Sequence, residues 1–142
     1  MRARTAAAAT LLMMSLAPAS AALRIADDRG GQIGNYLARY QALKKSGERI
    51  EIDGICASAC TMLLGIIPAN RICVTSQAVL EFHTAYDPTP SGQAVNAEGN
   101  QILWAHYPEN IRRWIGRHGG LQEQILYLRG AELSAMYPAC NK

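Results

Sequence analysis

The sequence predicts a single α/β domain behind a short secretory leader. Short strand patterns alternate with amphipathic helix patterns through the first half, and helix patterns dominate the second, as expected of one layered α/β unit. The 142 residues amount to about one domain. At the N-terminus, Arg2 and Arg4 precede the apolar run from Ala6 to Leu16, and Ala19-Ser20-Ala21 supplies a small-residue cleavage site. The run is too short to span a bilayer, so residues 1–21 read as a signal peptide and residues 22–142 as the domain.

The elements follow in order. Leu23 to Ala26 alternates as a short strand, and Asp27-Asp28-Arg29-Gly30-Gly31 is a turn. Ile33, Leu37, Tyr40 and Leu43 recur at helical spacing, which predicts a helix over 33–45 ended by Ser46-Gly47. RIEID, residues 49–53, is a strand. Ser58 to Ile66 is an apolar helix stopped by Pro68. Strands are predicted at 71–74 and 79–83 around a turn at Thr75-Ser76-Gln77. Residues 87–92 form a Pro-Ser-Gly loop, and residues 95–117 a long helix kinked at Pro108. His118-Gly119-Gly120 breaks that helix, 121–128 forms another, and 131–136 a final turn.

Composition narrows the function classes. Without Arg2 and Arg4 the domain carries 12 Lys and Arg against 11 Asp and Glu, so the basic balance belongs partly to the leader. No basic stripe points to nucleic acid. All four cysteines, Cys56, Cys60, Cys73 and Cys140, lie in the domain, and an even count in an exported chain reads as two disulfides with three pairings open. Metal binding is disfavoured, because C-x3-C followed by isolated cysteines lacks a second short-spaced ligand pair. The same spacing differs from the C-x2-C redox motif.

Taken singly, the polar residues have bland readings. Ser58 stands where a helix N-cap is expected, between two cysteines in GICASACTMLLG. The same strand-to-helix position also suits a nucleophile, with small neighbours and the positive end of a helix. His83 ends a strand in VLEFHTA, Glu132 opens the last helix, and Gly30-Gly31 is a tight turn.

As an ordered set these segments resemble the proteolytic subunit of Clp protease, within the Clp-protease-like and crotonase-like proteins. DRGGQIGNYLARYQAL is similar to the family's Gly-Gly turn and helix. GICASACTMLLG is similar to its nucleophile segment, and SQAVLEFHTA to its histidine strand. QAVNAEGNQILWAHYPENIRRWIGRHGGLQEQI is similar to its long helix and following Gly turn. The Ser58–His83 and His83–Glu132 intervals, 25 and 49 residues, fit the family's steps.

The resemblance implies a fold of repeated β-β-α units truncated at the N-terminus. It implies Ser58 as nucleophile, His83 as general base and Glu132, in place of the family's Asp, as its orienting acid. The N–H groups of Gly31 and Ala59 would form the oxyanion hole. It also brings the C-terminal tail near the strand of Cys73, which favours Cys56–Cys60 with Cys73–Cys140 over Cys60–Cys73 with Cys56–Cys140. In the first pairing the cysteines brace the Ser58 turn.

The expected function is a periplasmic serine hydrolase acting on peptide or protein, without cofactor, metal or nucleic-acid partner and without a membrane span once the leader is cut. The alternative is a non-catalytic binding or scaffolding module of the cell envelope. A thiol–disulfide protein and an acyl-CoA enzyme rank behind both. Residues 87–117 match the family's subunit-joining segment and are a candidate homo-oligomer interface. Trp104, Tyr107 and Trp114 belong there either to that interface or to the core.

Overall fold

A computed structural model describes residues 21–141. The signal-peptide assignment, Ala21 apart, lies outside them. The described chain is a mixed α/β domain. A five-stranded sheet comprises β1 (Leu23–Asp28), β2 (Ile50–Ala57), β3 (Ile72–Val74), β4 (Val79–Phe82) and β7 (Leu126–Arg129), with a separate hairpin of β5 (Tyr86–Thr89) and β6 (Gly92–Val95). The helices are α1 (Ile33–Ser46), α2 (Leu63–Ile66), α3 (Ala97–Ala105), α4 (Glu109–Arg117) and α5 (Gly130–Ser134), and a 3-10 turn over Ser58–Met62 leads into α2.

β2 is the centre of the sheet. Its isoleucines Ile50 and Ile52 alternate into the core with no exposure. β1 pairs parallel along one edge, while β3 and then β4 pair parallel along the other. β4 carries β7 antiparallel on its far side. Asp53 and Gly54 of β2 both fall opposite Ala26 of β1, a bulge that sends the end of β2 toward the Ser58 turn. A Cβ at Gly54 would stand 1.8 Å from the Ala26 carbonyl oxygen, so only glycine fits.

The helices cover one face. Ile111, Trp114 and Ile115, at i, i+3 and i+4, turn α4 onto the sheet. Phe82 of β4 meets Tyr107 edge-on at 5.3 Å between centroids and Trp114 at 5.9 Å. Tyr107 and Trp114 are thus core residues, whereas Trp104 is 39% exposed.

Asp27 and Asp28 lie inside β1 rather than in the turn, β2 runs on to Ala57, the helix read from Ser58 opens as a 3-10 turn, and three further differences are larger. The long helix of 95–117 is two helices: Pro108, lacking an N–H, is the N-cap of α4. The loop at 87–92 lies in the exposed β5–β6 hairpin. The helix of 121–128 is a turn followed by β7, because Leu126–Arg129 completes the free edge of β4, with Leu128 beside Leu80 in the core.

Both disulfides join as the resemblance implied, Cys56–Cys60 and Cys73–Cys140. The second ties the tail to β3, where Val74 N donates to Pro138 O and Cys140 N donates to Val74 O. Closing a loop of 67 residues contributes about 2–4 kcal/mol. No helix among the described residues is long and apolar enough to cross a membrane.

Two predictions follow from this packing. Gly54→Ala drives a methyl into backbone and costs at least about 3 kcal/mol, read as a collapse of the thermal midpoint or loss of soluble protein. Burial raises the Tyr107 and Tyr137 phenols from 10 to about 12, and burial with the Asp28 bond raises Tyr36 equally. The folded chain holds these protons more tightly than the unfolded chain. Their stabilisation is therefore complete below pH 10 and disappears as pH rises through about 12. As pH rises through that window, the melting temperature should fall while phenolate absorbance rises.

Candidate active site

Three adjacent parallel strands end side by side. Asp28, the last residue of β1, pairs with Cys56, and Ala57, the last of β2, pairs with Glu81. The residues that follow are Gly30-Gly31 after β1, Ser58 after β2 and His83 after β4. Open α/β sheets bind ligands outside the carboxyl ends of their strands, and here the predicted residues gather there.

Ser58 has φ +54°, the one positive φ on a non-glycine residue among those described. A side chain in that left-handed region costs about 1 kcal/mol or more and is retained where neighbours hold it. They do so closely. The Cys56–Cys60 disulfide spans the turn with Cα atoms 5.3 Å apart. The Thr61 hydroxyl donates to Ser58 O at 2.6 Å and meets the Tyr107 hydroxyl at 3.0 Å. The buried Tyr40 hydroxyl donates to Cys60 O at 3.0 Å.

Gly30 presses on the same turn. At φ +80°, a Cβ there would lie 2.6 Å from Ala57 O, 2.8 Å from Ser58 Cβ and 3.1 Å from Ala59 N. The close packing on the turn falls on Gly30, whereas Gly31 has ordinary space around it. Gly30 N donates to Asp28 Oδ1 at 3.0 Å, an Asx turn, and the next residue, Gly31, lines the cleft. The Ala59 N–H belongs to the first turn of a helix, where N–H groups have no intrahelical partner. Asp28 also accepts from Tyr36 and pairs with Arg39 at 3.4 Å.

Ser58 opens into a cleft of about 570 Å³ walled by residues 29–33 on one side and 85–88 with Asn96 on the other. The second wall is anchored to α3: Asn96 caps the helix through Gly99 N at 2.7 Å and donates to Asp87 at 2.9 Å, and Asn100 accepts from Ala85 N at 2.6 Å.

His83 is half-buried and stacks on Tyr86 at 5.6 Å, and Tyr86 in turn lines the cleft. Its Nδ1 lies 2.7 Å from the carbonyl oxygen of Thr84. A carbonyl only accepts, so Nδ1 carries the hydrogen, and in neutral His83 Nε2 is left as a proton acceptor. Among the described residues, no hydrogen bond joins Ser58 to His83.

Glu132 stands elsewhere. β7 runs antiparallel to β4, with Leu126 beside Phe82 and Arg129 beside Val79. The chain entering α5 therefore leaves at the start of β4, about 10 Å along the strand from its His83 end. Glu132 is exposed and makes no hydrogen bond or ion pair among the described residues. No cluster of three or more His, Cys, Asp or Glu among the described residues could hold a metal. Both sulfurs beside Ser58 belong to fully buried, bonded cysteines, which disfavours thiol exchange there.

No family model and no curated protein matches this chain. Its chemistry therefore rests on the geometry. Asp28, Tyr86 and Asn96 were not singled out from the sequence. Only Asp28 left a local trace there, as an acid two residues before a glycine.

Replacing Ser58 by glycine should relieve the left-handed strain and raise stability by about 0.5–1 kcal/mol, while Ser58→Ala should not. Paired thermal melts of the two variants decide this.

Proposed function

We propose that the protein is an exported serine hydrolase of the Clp-protease-like and crotonase-like class, acting on peptides. The observation that carries this reading is Ser58 held at φ +54° on a strand-to-helix turn, at the edge of a cleft. A serine presented this way resembles the strained nucleophile turn of hydrolases. Ser58 Oγ attacks the acyl carbon, and His83 Nε2 takes its proton and returns it to the leaving amine. The developing oxyanion is met by the Gly31 and Ala59 N–H groups, each well-aimed donor contributing about 3 kcal/mol.

Thr84 O takes the orienting role the family gives to an acid, so the working unit is Ser58 and His83 with a backbone carbonyl rather than Glu132. The missing Ser58–His83 hydrogen bond is compatible with a catalytic pair that tightens only when substrate binds. That same gap favours a second reading, a non-catalytic binding module using the cleft.

Labelling with a fluorophosphonate separates them. The oxidised wild type should label at one site, Ser58→Ala should abolish labelling, and His83→Ala should slow it about 10²–10⁴-fold. Glu132→Ala should stay within about twofold, as expected of an exposed residue outside the site. A folded wild type that does not label would favour the binding module.

A further inference from the structure

We propose that the Cys56–Cys60 disulfide is a positioning element that makes Ser58 competent, so that the site exists only in the oxidised chain. This rests on the hydrolase reading of Ser58. The bond closes a five-residue ring, Cys56-Ala57-Ser58-Ala59-Cys60, and its middle residue is the one in the left-handed region. Cys56 and Cys60 are both fully buried. Neither sulfur can reach a substrate, and the bond acts through the backbone it constrains.

Gly30 packs against the centre of the turn without bonding to it, and the side-chain hydrogen bonds lie on the C-terminal side of the Ser58 φ torsion. Tyr40 holds the Cys60 carbonyl, and Thr61 holds the carbonyl of Ser58, beyond its φ torsion. Without the disulfide, Ser58 relaxes to negative φ, and its Oγ and the Ala59 N–H turn away from the Gly31 N–H. Cys73–Cys140 lies at the opposite end of β2, beside Glu51, and leaves the turn untouched.

Forming the bond takes two electrons and two protons from the two thiols. A disulfide of the oxidising compartment accepts them and becomes a dithiol. In a reducing compartment the thiols persist and the nucleophile stays disarranged, so hydrolysis begins after export. Once packed, the bond is shielded from reductants by its burial.

The test compares C56A/C60A with C73A/C140A. The first should keep a cooperative melt but lose at least tenfold in fluorophosphonate labelling rate. The second should melt lower yet label at the wild-type rate below its midpoint. Labelling of C56A/C60A at the wild-type rate would overturn the inference.

A second readout needs no activity. Ser58→Gly should raise the melting temperature in the disulfide-bonded chain and fail to raise it in C56A/C60A, where φ has relaxed. An equal rise in both backgrounds would overturn the inference even if the wild type never labels. Absence of wild-type labelling combined with an unequal rise would reject the hydrolase reading and keep the clamp. Should C56A/C60A not fold, Cys60→Ala alone removes the bond while keeping the Cys56 side chain in the core, and is read the same way.

Discussion

The left-handed backbone of Ser58 is the constraint around which the domain is arranged. A serine does not rest there unaided, and four features bear on the turn. The bulge at Gly54 aims β2 at it, Gly30 packs a bare backbone against it, and Thr61 and Tyr107 hold it from the helix layer. The Cys56–Cys60 bond spans it. Some of these contacts lie within the turn and β2, and others come from the glycine loop after β1 and from the chain between α3 and α4. That arrangement ties function to stability: the strain at Ser58 is small beside the packing of β2, which is buried on both edges by parallel neighbours.

The same convergence assigns roles to residues with no chemistry of their own. Asp28 is not among the residues that line the cleft. By accepting from Gly30 N, Tyr36 and Arg39, it fixes the conformation of the glycine turn that lines the cleft. Thr84 acts through its carbonyl, which decides which nitrogen of His83 carries the hydrogen. Asn96 and Asn100 pin the hairpin wall that narrows the cleft.

Much of this was legible in the sequence where local chemistry decides. β1, α1, β2 and β4 follow from alternation, helical spacing and glycine punctuation. Ser58 stood out by its place between strand and helix. The failures lie where a partner decides. Leu121, Ile125 and Leu128 are spaced as on a helix, but the open edge of β4 claims Leu126–Arg129 as a strand. Pro108 marked a kink, and the helix breaks there outright: α3 ends at Ala105, and Pro108, with no N–H to continue it, is the N-cap of α4. Glu132 matched by interval alone; the antiparallel direction of β7, invisible locally, carries it to the wrong end of the sheet. Asp28 and the asparagines were illegible because their partners lie far along the chain.

The measurement that tests the nucleophile most directly is the crystal structure of the fluorophosphonate-treated protein. Phosphorus bonded to Ser58 Oγ, with a phosphonyl oxygen within hydrogen-bond distance of the Gly31 and Ala59 nitrogens and His83 Nε2 turned toward Oγ, is the predicted result. A phosphonyl oxygen directed into solvent, or a Ser58 that has moved to negative φ with the disulfide intact, would contradict it.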